Sequence, residues 1–183
     1  MILLQTGRTT QEQETPVADT QAAGERTIGK KTIYFADNAD ADGPKNIGDF
    51  YDLALRSGGR GGILYFCHGK VDDDEARRVK KSTGIDVSGA YHAISDQRIV
   101  HTLKRHGVGR EKNKGQDPVT KEDFEKIPEY TRTADKIRIE GVTDMGLPVI
   151  RYQKRVNGHI VILKQFRDKK GVLQFDTMWK QKP

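Results

Sequence analysis

The chain has a single cysteine, Cys67, among 183 residues, which excludes an internal disulfide framework and a cysteine-rich zinc site. It lacks any apolar run approaching the ~18 residues of a membrane-spanning helix. Ile2 to Leu4 is too short to be the apolar core of a signal peptide. No membrane partner is therefore expected, and nothing calls for an oxidising compartment. Hydrophobic residues make up 34% against 32% charged, enough for a modest core but not for one running the whole length. The length suits one domain with an extension, or two small units.

Charge is present in quantity but unevenly placed. The net charge is +6, of which residues 1–95 supply −2 and residues 96–183 supply +8. A basic half of this kind points to phosphate, and so to nucleic acid, as the partner. Solubility alone is the other use of such a surface. The acidic residues of the basic half are scattered without ligand spacing, so no metal site and no cofactor are expected there.

Residues 1–27 are rich in Gln, Thr, Glu and Ala without apolar period and read as a disordered leader or linker. Residues 28–82 read as a small α/β unit. Lys31 to Ala36 is a strand, Asn46 to Arg56 has Ile47, Phe50, Leu53 and Ala54 at helical spacing, and Gly62 to Cys67 is a second strand. Asn38, Asp40, Asp42, Gly43 and Asp49 fall at calcium-loop spacing, but an entering helix is missing and an Asx-rich turn accounts for them. Cys67 and His68, adjacent on a strand, point to opposite faces and read as structural. Gly58 to Gly62 precedes a strand rather than opening a helix, so it is no phosphate loop. Asp72 to Lys81 is a helix, acidic at its start and basic at its end, and Thr83 to His92 follows as a loop or short strand.

Ile94 to Gly107 is the most sharply marked stretch. Ser95 is a good N-cap, Asp96 sits in the first turn, Lys104, Arg105 and His106 sit in the last, and Gly107 stands where a left-handed residue is wanted. Ile99 and Leu103 share a face that can be buried. Arg98, His101 and Arg105 share another, suited either to a polyanion or to plain solvation. His101 and His106, five residues apart, diverge by roughly 140° on a 3.6-residue helix. They cannot both face one phosphate unless the last turn unwinds.

Beyond a polar loop, Thr120 opens a short helix with Asp123 in a capping-box position, and Ile127-Pro128 ends it. Lys136 to Val142, Pro148 to Val156, His159 to Arg167 and Val172 to Lys180 read as four strands. Asn157-Gly158 is a strong hairpin signal, and Asp168 to Gly171 closes the next hairpin. The fold class expected for residues 83–183 is thus α+β, short helices followed by a four-stranded antiparallel sheet. With a two-residue first turn and a four-residue second, Arg151, Lys164, Thr177 and Trp179 gather on one face, and Ile150, Tyr152, Val161, Leu163 and Met178 on the other. A three-residue loop shifts this pairing, and an ordinary polar sheet face is the other reading.

Gly84 to Gly89, Arg98 to Gly107, Val119 to Pro128, Asp135 to Ile137, the Tyr152 strand with Asn157-Gly158, and Phe175 to Lys180 follow one another in order. Over these stretches, from Thr83 onward, the chain resembles the phage-borne barnase–EndoU–colicin–RelE-like nuclease domains found at the C-termini of phage head-associated and polymorphic toxin proteins. The resemblance implies an α+β nuclease that cleaves RNA without metal. By that likeness His101 and His106 match paired helix histidines, Thr177 matches the threonine of a Thr-x-aromatic motif, and Arg167 matches an arginine near the end of the preceding strand. Trp179 stands where a tyrosine is more usual, and Gln165 where an acid is often seen. The likeness also admits an immunity protein and a phage head or delivery protein as partners. It places the action in a bacterial cytoplasm, reached by phage or by secretion.

Metal-free RNA cleavage needs a base for the 2′-OH proton, an acid for the 5′-oxygen and cations around the phosphorane. The expected assignment is His101 as the catalytic imidazole and His106 as a helix-end residue near the site. Arg98 or Arg105 neutralises phosphate, Lys164 or Arg167 stabilises developing charge, Thr177 positions the phosphate, and Arg151 and Trp179 bind substrate, Trp179 by stacking a base. The expected activity is a ribonuclease toxin acting on single-stranded RNA or tRNA and leaving a 2′,3′-cyclic phosphate. A non-catalytic nucleic-acid-binding module or a phage structural appendage is the alternative. A nucleotide-transfer enzyme lacks the glycine-rich loop it would need.

Overall fold

The computed structural model describes residues 26–28, 31–37, 43–58, 63–110 and 115–183. The leader up to residue 25, the calcium-like loop at 38–42 and most of the Gly58 to Gly62 run lie outside the described residues. Among those described, the order is β1 (Arg26–Ile28), β2 (Lys31–Phe35), α1 (Ile47–Ser57), β3 (Ile63–Lys70), α2 (Asp73–Thr83), β4 (Tyr91–Ser95) and α3 (Asp96–His106). Then come β5 (Gln116–Asp117), α4 (Lys121–Glu125), α5 (Ile127–Arg132), β6 (Lys136–Val142), β7 (Pro148–Arg155), β8 (His159–Arg167) and β9 (Val172–Gln181), with a 3₁₀ turn at Asp168–Lys170 before β9.

The fold is α+β, and its sheet is larger than four strands. The described strands form one sheet in the order β1-β2-β3-β4-β9-β8-β7-β6, with β5 pairing β9 off that path. The joint between the chain's two halves is short and parallel: Tyr91, His92 and Ala93 of β4 pair with Val172, Leu173 and Gln174 of β9. One apolar cluster runs across that joint, from Phe50 and Phe66 through Ile94 and Ile99 to Tyr152, Ile162 and Phe175.

Local chemistry explains the helices. Ser95 Oγ accepts from Arg98 N at 3.4 Å, as its N-cap position demands. Asp96, fully buried, turns away from the exposed first-turn role and accepts from Leu64 N at 3.1 Å, tying α3 to β3. Gly107 is not left-handed: its φ of −81° and ψ of −177° are extended. Space rather than φ requires glycine there, because a Cβ would lie 2.5 Å from the Leu103 carbonyl oxygen. Pro128 does not end the helix that Thr120 opens. It falls in the first turn of a new helix, α5, where a missing N–H costs nothing.

The hairpin registers correct the expected faces. Arg151 pairs with Leu163 and Arg155 with His159, so the turn between β7 and β8 takes three residues, Val156 to Gly158. Between β8 and β9 the pairing slips at Leu163/Lys164, leaving Asp176 as the extra residue of a bulge. Ile150, Tyr152, Ile162, Lys164, Phe175 and Met178 therefore face the core. Arg151, Leu163, Thr177, Val161 and Trp179 share the outer face.

Candidate active site

Read strand by strand, the outer face of β6 to β9 is a ladder of cross-strand rows. Arg138, Arg151, Leu163 and Thr177 form one row, and Lys136, Gln153, Val161 and Trp179 the next. Arg151 is the hinge of this surface. Its guanidinium lies over the Trp179 ring at 5.5 Å and reaches Glu140 at 3.2 Å, so it is held flat against the sheet with one charge already matched.

α3 borders this face for a reason visible in the pairing. On one side β9 is hydrogen-bonded to β4 only through Val172–Gln174 and to β5 only at Lys180 and Gln181. The stretch between would be an open edge, and α3 covers it. Residues four apart meet β9 side chains in turn. Arg98 Nη1 pairs with Asp176 Oδ1 at 2.9 Å, Thr102 Oγ1 meets Thr177 Oγ1 at 3.4 Å, and the His106 ring lies 6.1 Å from that of Trp179. Asp176 is also gripped from β8, where Gln165 Nε2 donates to it at 2.8 Å. A carboxylate thus stands beside Gln165, on the bulge rather than at position 165 itself.

The two histidines separate as helix geometry requires, because α3 remains helical through His106. His106 is on the ridge against β9, and its Nδ1 hydrogen-bonds Gln116 Oε1 at 3.0 Å, which holds the ring by that nitrogen. His101 lies one ridge out. It lines a pocket of about 310 Å³ with Gly58, Gln97, Val100 and Lys104. Burial first, then the charges of Arg105 and Arg98, lower its pKa below the usual 6.5, with Asp176 pulling the other way. Arg105 is exposed on that outer ridge.

Two expected site residues stand elsewhere. Arg167 lies on the same face but bonds Gln174 at 3.0 Å, four residues along β8 from Leu163 and so roughly 13 Å from the Thr177 row. Lys164 is not on this face. It is fully buried on the core side, where its Nζ donates to His92 Nδ1 at 2.8 Å, and His92 Nε2 in turn donates to Glu75 Oε2 at 3.0 Å. The His68 ring stacks on that of His92 at 5.2 Å. Burial brings the Lys164 ammonium down to about 8, against the pull of Glu75. Burial works to raise the Glu75 carboxyl, yet the His92 hydrogen bond and the charges of His92 and Lys164 overcome it and leave the pKa at about 2. This is a buried ion pair bridged by a neutral imidazole, and it ties α2, β4 and β8 together. Sequence reasoning missed it because Glu75 looked like one more acid at a helix start.

Gln116 and Asp176 were also missed. The first sits on a two-residue strand with no sequence signature, and the second owes its place to a bulge. Among the described residues, no three His, Cys, Asp or Glu side chains converge as metal ligands would. Among the described residues, no helix is long and apolar enough to cross a membrane.

A family model described as phage-Barnase-EndoU-ColicinE5/D-RelE like nuclease3 matches residues 69–183. The match begins inside β3 and takes in α2, α3 and the whole C-terminal sheet. No curated protein and no solved structure matches the chain.

Proposed function

Since this chain belongs to the phage-Barnase-EndoU-ColicinE5/D-RelE like nuclease family, we propose that it is a ribonuclease whose reaction takes place where α3 meets the outer face of β9. The observation that carries this reading is the ridge of Arg98, Thr102 and His106 seated against Asp176, Thr177 and Trp179. It puts an oriented imidazole, a hydroxyl pair, a held guanidinium and an aromatic ring along one strand.

In the proposed reaction His106 Nε2 takes the proton from a ribose 2′-OH, because Gln116 engages the other ring nitrogen. The 2′-oxygen attacks phosphorus and the bond to the 5′-oxygen breaks, with solvent returning a proton to that oxygen. The products are a 2′,3′-cyclic phosphate and a free 5′-hydroxyl. Arg98 and Arg151 flank the phosphorane and offset its added charge, while Thr177 holds a non-bridging oxygen and Trp179 stacks the neighbouring base. His101, kept neutral at the rim, is the competing candidate for the base. No step is routed through a metal. Single-stranded RNA or an exposed tRNA loop fits, since its bases must be splayed to stack. A toxin role delivered by phage or secretion, with an immunity protein to restrain it, belongs to the same proposal and is supported only by the phage-associated nuclease family.

His106→Ala is expected to lower kcat/KM on RNA by at least about 100-fold, with a smaller effect for His101→Ala. The reverse ranking would move the base to the outer ridge, and unchanged cleavage by both variants would sink the site.

A further inference from the structure

The outer face does not stop at Trp179. The next cross-strand row beyond it is Arg155, His159 and Gln181, with Gln116 of β5 completing the line. Rows on one face follow each other at about 7 Å, two residues along a strand. That row and its neighbour bound a pocket of about 270 Å³, lined by Asp135, Lys136, Gln153, Arg155 and His159.

The Asp135 carboxylate is already occupied: it accepts from the Arg155 backbone N at 2.7 Å and pairs with Lys154 at 3.6 Å. The side chains of Lys136 and His159 make no hydrogen bond or ion pair among the described residues, and Arg155 is exposed. Two cations, Lys136 and Arg155, thus line the concavity together with the Gln153 amide and the His159 ring. That chemistry suits a phosphate better than a carboxylic acid side chain, and the pocket lies in the Trp179 row and the one beyond it, across β8, β7 and β6 from the indole.

We propose that the Lys136, Gln153, Arg155 and His159 pocket is a phosphate-binding subsite for the nucleotide beyond the one stacked on Trp179, so that the ligand is a single-stranded polynucleotide longer than a dinucleotide. The chain then runs across the sheet from α3 toward the β7–β8 turn. This rests on the outer face being the nucleic-acid surface, and it adds the direction and minimum length of the strand bound.

The test reads binding, not cleavage. A fluorescent 2′-O-methyl hexanucleotide and the matching dinucleotide have no 2′-OH to react, and their affinities are measured by anisotropy across a salt series. With Lys136→Gln/Arg155→Gln, the hexanucleotide is expected to bind about 10-fold more weakly, with a salt slope shallower by about 2, while the dinucleotide is unaffected. Unchanged hexanucleotide affinity and slope would overturn the subsite, as would an equal loss for the dinucleotide. Because neither oligomer can be cut, a failure of the ribonuclease reading leaves this result interpretable. The substitutions change only exposed or rim side chains and keep the backbone bond to Asp135, so wild-type thermal stability is expected.

Discussion

Lys164 carries an ammonium into a place that water does not reach. The arrangement survives because one neutral ring accepts from the lysine and donates to Glu75, so neither charge stands alone. Removing one partner of such a pair leaves the other buried and uncompensated, which costs about 3–5 kcal/mol. Lys164→Met is expected to destabilise the fold by that amount in urea denaturation, and adding Glu75→Gln to recover part of it. The two imidazoles beside it make stability depend on pH. Burial, with the neighbouring Lys164 charge, holds both His68 and His92 below their ordinary pKa. The unfolded chain therefore binds protons below about 6.5 that the folded chain refuses, and stability falls as pH drops through that range. Denaturation midpoints should be lower at pH ~5 than at pH ~7, and His68→Phe should flatten the dependence. Strand alternation alone put Lys164 outside with Arg151. The three-residue turn and the bulge at Asp176 decided otherwise, and neither had a residue signature strong enough to be read beforehand.

α3 is the element whose ends were most legible, because capping chemistry is local. Ser95 does what its side chain predisposes it to do. Its partners were not legible, since they come from β9, 73 to 78 residues later, and from the gap between β4 and β5 on the edge of that strand. The chain leaves α3 through Gly107, packed against the Leu103 carbonyl, and continues to a backbone bond between Val119 N and His106 O at 2.7 Å. Gly107→Ala has no forbidden φ to adopt but must push that carbonyl aside. It is expected to cost about 1–3 kcal/mol, measured as a shift in the denaturation midpoint, and to disturb the Gln116–His106 contact. A wild-type midpoint would mean that the turn gives way freely. The helical spacing of Arg98, His101 and Arg105 was readable as one basic face. Which of its neighbours would meet the sheet was not, and the answer is the ridge holding Arg98, Thr102 and His106.

At the scale of the molecule, the acidic first half supplies strands to the sheet and two helices packed with it, and the basic second half presents the polar face. β4 joins them by only three paired residues, reinforced by the cluster from Phe50 to Phe175 and by the Glu75–His92–Lys164 chain. The meander of four C-terminal strands was legible from turn residues and alternation. Its fusion to the earlier strands was not, because parallel pairing between distant segments leaves no local mark. Nucleic acid laid on the outer face would meet Arg98, Arg151, Arg155 and Lys136 in turn, which matches the +8 carried by residues 96–183. The most direct measurement is to incubate the purified chain with RNA and with DNA of the same sequence, in chelator, and to map the new ends. RNA cut to 2′,3′-cyclic phosphate and 5′-hydroxyl ends, with DNA left intact, is the result expected. DNA cut equally well, or RNA cut only when a divalent metal is restored, would contradict attack by the 2′-oxygen at the α3–β9 face.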